Sequence, residues 1–446
     1  MKRLALILLS ISLLLTTPAK TDSWPQFRGP QGNGIANADN IPLEFGESEN
    51  LAWKTHLPGR GWSSPVLTDG KIWLTTATEV FPTEEERLKI LEESGEKPKT
   101  FKVRQVATSI DLAVQQVDFE TGKLIREIPL TKVESPKAIH ALNSFASPTP
   151  VLEDGKLYAH FGTYGTFCLD TKSGEILWQE QLPLEHSVGP GSSPFLYKEL
   201  LVLICDGVDA QFVTALDKNT GKRVWRTERP EMRAALGDQK KAYCTPIAIT
   251  SRDGVDQLIC MGSQWLVSYE PETGKEIWRF DHGNGFSVVP RPVFSEENQL
   301  VYISTGFGKA EMIAIAVDGK GDISGTDKEV WRVKKSIPNK PSFLLHDDLI
   351  YTISDTGVAF CFDPKTGDEV WGARVGGNFS ASPLYADGKI FFASHEGKVT
   401  VIEPGREYKV MAENQLDEKF KLMASPLAVD GALLFRSENA IYRFGK

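Results

Sequence analysis

The chain is poor in cysteine, and no two of its cysteines are adjacent: Cys168, Cys205, Cys244, Cys260 and Cys361 are odd in number and irregularly spaced over 446 residues. That spacing implies no disulfide framework and suits small buried strand residues, with a Cys244–Cys260 bridge left open for an oxidising compartment. Cations are also scarce, 50 Lys and Arg against 59 Asp and Glu, for a formal charge of -9. An acidic chain excludes nucleic acid and anionic lipid as main partners, because both reward concentrated positive charge. Long apolar runs are missing after residue 15, and a membrane helix needs roughly 20 such residues. No nucleotide-binding glycine loop, zinc-protease helix or nucleophile elbow appears, so no local motif announces catalysis.

The one apolar run, Leu4 to Leu15, follows a basic head of Lys2 and Arg3 and precedes Thr17-Pro18-Ala19. This pattern is that of a signal peptide at 1–19, cleaved near Ala19. Its removal takes away two cations and no carboxylate, moving the formal charge to -11. The expectation is a periplasmic or secreted monomer with no transmembrane segment.

What the chain does have is a repeat. Units open on a small residue and proline at Ser64-Pro65, Ser147-Pro148, Ser193-Pro194, Thr245-Pro246, Ser382-Pro383 and Ser425-Pro426, with degenerate openings at Pro292 and Pro341. After the first interval they recur every 40 to 55 residues or so, about the length of a four-stranded propeller blade. Within a unit an apolar run meets a tight-turn dipeptide such as Asp69-Gly70, Asp154-Gly155 or Asp387-Gly388, then a β-branched and aromatic run. The second half reads A-x-D-x-x-T-G-x-x-x-W in its best copy, Ala215 to Trp225, with close copies ending at Trp178, Trp278 and Trp371. The Asp carboxylate can accept turn N–H groups, Gly takes the left-handed conformation, and Trp covers the neighbouring sheet. An aromatic binding box is the rival reading of these tryptophans, but one per repeat points to packing.

The pattern predicts an all-β fold: an eight-bladed β-propeller of four-stranded antiparallel blades over 51–446, preceded by a strap at 20–50. The last unit stops at Phe444 without a Trp strand, and residues 51–57 look like that missing strand. They are expected to complete the last blade and fasten the ring. Residues 79–105 form an insertion in the first unit, with a capping box at Thr83–Glu86 and a short surface helix over Thr83–Ser94. Arg126 stands where Trp is expected, which predicts a looser corner. The fifth unit lengthens its turn between Asp318 and Trp331, and the seventh shortens it to Glu403-Pro404-Gly405.

The 11-residue motif is similar to the tryptophan-docking motif of quinoprotein dehydrogenases, and from Trp24 to Phe444 the chain resembles the PQQ-like β-propeller repeat proteins, in their BamB-like branch. That branch implies a scaffold binding a protein or peptide partner in the cell envelope, with no cofactor expected. Its proteobacterial members are lipoproteins, whereas no cysteine stands in this signal region. The quinoprotein branch implies the alternative, a dehydrogenase holding pyrroloquinoline quinone and Ca²⁺ on the ring axis with carboxylates for metal and base and adjacent cysteines over the cofactor. A carbohydrate or small-ligand sensor is the third reading.

Loops leading into the Ser-Pro strands should gather at one mouth of the ring. They carry the candidate ligand or partner residues Arg60, Trp62, His140, Asn143, Ser144, His186, His282, Asn284, Arg291 and Asn378. Three histidines at comparable positions raise a His₃ metal centre against simple polar loops. Asp206 and Asp209 could serve Ca²⁺ or hold a bulged turn by backbone hydrogen bonds, the reading preferred. Clustered aromatics and amides at the mouth would favour sugar; carboxylates converging with an Asn would favour Ca²⁺ and quinone.

Overall fold

In the computed structural model, residues 22–416 and 421–445 are described, so the expected signal peptide lies outside the described residues. Eight antiparallel blades follow one another around an axis. Blade 3 shows the plan: Phe195–Tyr197 innermost, then Leu200–Asp206, Gln211–Asp217 and the outer Arg223–Glu228. The middle strands are buried on both faces because each blade is sandwiched between two others, which is why their sequences are apolar rather than alternating. The outer strand alternates, since its edge meets water. Blade 8 comprises Leu427–Val429, Ala432–Arg436, Ala440–Gly445 and, from the other end of the chain, Leu51–His56; Trp53 stands opposite Arg443 and Lys54 opposite Tyr442.

In every blade the outer strand carries one extra residue next to the motif position. In blade 2, for example, Cys168 faces Trp178 while Leu169 faces Ile176, so Leu177 bulges out. The same shift occurs in the other blades. The bulged residue points to solvent, which explains the exposed aliphatic side chains of Leu177, Val224 and Val330, and the added twist aims the Trp at the next blade. There it docks. Trp178 Nε1 donates to Lys218 O, Trp225 to Pro271 O, Trp331 to Pro364 O, Trp371 to Gly405 O and Trp53 to Phe119 O, each at 3.0 Å. The turn glycine rests on the indole so closely that a Cβ on Gly221 would stand 2.5 Å from Trp178. Its φ of 71° is a second reason for glycine there. The motif Asp works as expected: Asp217 Oδ1 accepts from Asn219 N, Thr220 N and Thr220 Oγ1. The recurring tryptophans are packing.

Three joints depart from this pattern. Arg126 does not loosen the first corner, contrary to expectation: its guanidinium donates to Thr171 O at 2.5 Å and Ser173 O at 3.0 Å, replacing one indole bond by two. At Trp278 the long turn of blade 5 lies along blade 4 instead, with Gly321–Asp322 pairing parallel to Trp278–Arg279, and the indole turns to Gln257 Oε1 of its own blade. Blade 7 has Ala412 at the Trp position. The strap fills the gap: Phe45 packs against Phe391, Phe435 and Phe444, tied by Phe45 N to Asn414 Oδ1 and Asn414 Nδ2 to Leu43 O.

The insertion of blade 1 forms the helix Glu84–Glu93, with the capping box Thr83–Glu86 in place and Ser94 as its C-cap. Beyond it Arg104–Gln105 pairs with Ile139–His140. The five cysteines are free and buried, so the bridge left open between Cys244 and Cys260 is not formed; the Cys244 thiol donates to Pro290 O.

Candidate functional site: the axial funnel

At one end of the axis the loops leading into all eight innermost strands converge on a funnel of about 580 Å³. Around it runs a belt of hydroxyls at the residue opening seven of the eight blades. Ser64 N donates to Thr149 Oγ1, Thr149 N to Ser193 Oγ, Ser193 N to Thr245 Oγ1, Arg291 N to Ser342 Oγ, Ser342 N to Ser382 Oγ, Ser382 N to Ser425 Oγ and Ser425 N to Ser64 Oγ, at 2.9 to 3.1 Å. Proline follows most of these residues because it holds the chain extended, so that an N–H and a hydroxyl face successive neighbours. The belt corrects two assigned openings. Blade 2 opens at Thr149-Pro150, not Ser147-Pro148, and blade 6 at Ser342, one residue after Pro341.

The belt is interrupted at its eighth position, where Arg291 offers no hydroxyl. Its buried guanidinium reaches the strap instead, donating to Pro246 O, Phe27 O and Gly32 O. Phe27 thereby becomes part of the funnel lining, below the belt. Burial, then the neighbouring Arg291, lowers Arg28 to about 9, and burial lowers Arg291 to about 10, so both stay cationic at neutral pH.

Above the belt the walls are aromatic and apolar, with Trp62, Tyr243, Phe286, Phe307, Leu142 and Val188. Among the described residues the ionisable lining groups other than Tyr243 are His140, Lys241 and Lys340, with no Asp or Glu. Lys241 pairs outward with Asp238 and Lys340 with Asp355 at 3.3 Å. Burial first, then Arg104, Lys340 and Lys241, hold His140 below its ordinary value, so the imidazole sits in a positive field. The indole N–H of Trp62 is buried and has no acceptor among the described residues.

Of the sequence candidates, Trp62, His140 and Asn143 line the funnel. The Asn143 amide is already used, donating to Val188 O and Pro190 O and accepting from Ser144 N and Ser147 Oγ. Ser144 is buried and accepts from Trp62 N, which orients the indole. Arg60 stands behind Trp62 in ion pairs with Glu79 and Glu438. Asn378 donates to Glu396 in a neighbouring cleft, and Asn284 is exposed outside the funnel. The histidines do not gather: His186 Nε2 accepts from Thr163 N and His282 Nε2 bonds Gly262 O, each lowered to about 4 by desolvation. Among the described residues no cluster of His, Cys, Asp and Glu could hold a metal. Asp206 and Asp209 form no Ca²⁺ site, because Asp206 is the buried partner of Arg229 at 2.9 Å and Asp209 accepts from Glu185 N. Sequence reasoning missed Phe27, Lys241, Tyr243, Phe307, Lys340 and the belt. The belt was within reach, since its hydroxyls are the small residues before the strand prolines.

The fold is shared with known proteins. A 1-butanol dehydrogenase (quinone) of Thauera butanivorans is 28% identical over 144 residues, 29% of this chain and 22% of that enzyme. A quinohemoprotein alcohol dehydrogenase of Pseudomonas putida is 22% identical over 263 residues, 54% of this chain and 35% of that enzyme. The chain thus spans only a minor part of these relatives' lengths. The crystal structure of BamB from Moraxella catarrhalis superposes with a TM-score of 0.54 at 12% identity, covering 77% of this chain and all of that one. The family model described as outer membrane protein assembly factor BamB matches residues 46–227, 111–320 and 262–407, and with a ring of eight docked blades beneath that match, the chain belongs to this PQQ-like propeller family.

Proposed function

We propose that this protein is a non-catalytic recognition scaffold of the cell envelope that holds a protein or peptide partner at the mouth of its ring. The observation that carries the reading is the convergence of all eight loops on an aromatic-walled funnel with apolar groups at the surface: Leu142 and Phe307 line it, and both stay more than a third exposed. Exposed apolar groups around a concavity are the usual mark of a docking site.

The quinoprotein alternative draws on the names of the relatives. Its chemistry needs carboxylates for Ca²⁺ and for a base, and none lies among the described lining residues. The lining residues therefore do not fit a Ca²⁺-bound quinone. A small-ligand sensor has the aromatic walls in its favour but lacks free side-chain amides.

The test is charge substitution. Leu142→Glu and Phe307→Glu should abolish capture of an envelope partner, while Asp154→Lys in a turn at the opposite end should leave capture intact. Stoichiometric retention of pyrroloquinoline quinone with Ca²⁺, together with dye-linked alcohol oxidation, would overturn the scaffold reading.

A further inference from the structure

The seven belt hydroxyls share one chemical property. Each oxygen already accepts a backbone N–H from the preceding blade, and among the described residues none of the seven donates to a protein acceptor. All seven line the funnel. A hydroxyl has one hydrogen to give, so the belt presents a ring of O–H donors to whatever reaches it. The indole N–H of Trp62, without an acceptor among the described residues, adds a donor, and Lys241 and Lys340, each paired with an aspartate outside the lining, are the cations of the funnel. Among the described lining residues no carboxylate is present and the Asn143 oxygen is taken, so the acceptors that remain are the second lone pairs of the hydroxyls.

A cavity with free O–H donors, two lysines and no carboxylate among its described lining residues suits an acceptor-rich anion. The aromatic walls above the belt require that the anion be attached to an apolar group. The floor limits the shape further. Phe27, fixed through its carbonyl by Arg291, lies below the belt, so a chain can enter only by its end.

We infer that the funnel receives the free C-terminal carboxylate of a partner polypeptide, with a terminal apolar side chain against Trp62, Tyr243 and Phe286 and the carboxylate on the hydroxyl belt. This rests on the scaffold reading and names what the scaffold holds. A volume of about 580 Å³ lies within the range that ordinarily encloses small ligands, enough for two or three residues. A neutral sugar gains nothing from Lys241 and Lys340, so charge separates the two kinds of ligand.

Calorimetric titration of the mature protein with a short acetylated peptide ending in phenylalanine, as the free acid and as the C-terminal amide, tests this directly. The free acid should bind at least roughly tenfold more tightly than the amide, because the amide carries no charge and brings donors to a donor surface. Trp62→Phe should weaken the acid several-fold with an unchanged melting curve, and Lys340→Met should do the same and reduce the salt dependence. Equal affinity for acid and amide, or preference for a neutral oligosaccharide or for pyrroloquinoline quinone without the peptide, would overturn the inference. Photocrosslinking from Leu236, exposed in the loop leading into blade 4, separates the two levels of failure. A defined partner crosslinked there without carboxylate preference sinks only the terminal-carboxylate inference; loss of both sinks the scaffold reading as well.

Discussion

The joint between blades 3 and 4 and the joint between blades 7 and 8 solve one problem by different means. In the first, Trp225 reaches the turn of the next blade through its indole, and every participant is encoded within two consecutive repeats. In the second, Ala412 is too small to reach anything and blade 8 has no third turn to offer, because its outer strand Leu51–His56 comes from a distant part of the chain. Phe45, from the far end of the chain, is wedged between the sheets instead. A repeat can therefore specify a joint locally as long as both sides are continuous chain. At the seam the cement must arrive from a distant segment, and the strap becomes part of the core.

Acid should break this comparison most strongly. His160 and His282 are buried and His186 is half-buried in blades 2 to 4 or their connections, and desolvation lowers His160 from 6.5 to about 3 and His282 and His186 to about 4. The unfolded chain takes up protons first, so stability is complete above pH 6.5 and is lost as pH falls toward 4, by roughly 3 kcal/mol for each histidine. Hydrogen exchange at pH 4.5, corrected for intrinsic rates, should rise in 156–170 and 256–281 before it rises in 427–445.

Phe45→Ala should do the reverse. It should cost about 3–5 kcal/mol in urea denaturation and open blades 7 and 8 first, since it empties a cluster of three phenylalanines. Trp225→Phe keeps most of the packing and removes the bond to Pro271 O, for about 1–2 kcal/mol. Arg126→Ala tests whether the substitute joint is as firm as an indole joint. The loss of two bonds to exposed turn carbonyls should cost about 1–2 kcal/mol, and a loss near zero would restore the looser corner that the sequence implied.

The motif copies from Ala215 to Trp225 and their relatives made blade number, turn chemistry and docking legible, because each depends on residues within a few positions of one another. The mouth was legible as a location: Trp62, His140 and Asn143 lie in its lining. Its character was not. His186 and His282 occupy comparable places in the repeat, yet Thr163 N and Gly262 O engage them inside the walls, and sequence spacing does not report which way a loop side chain turns. Asp206, expected to hold a bulged turn by backbone hydrogen bonds or else to serve Ca²⁺, is instead the partner of Arg229, 23 residues along the chain.

The amino-acid order alone therefore determined a closed ring of eight sheets, since short-range periodicity and an orphaned outer strand leave few other ways to bury the apolar runs. Only the tertiary structure decided what the ring can hold. The donors of the hydroxyl belt, the Phe27 floor and the lysines come from seven separate loops and the strap, and their common chemistry exists only once closure has brought them around one axis.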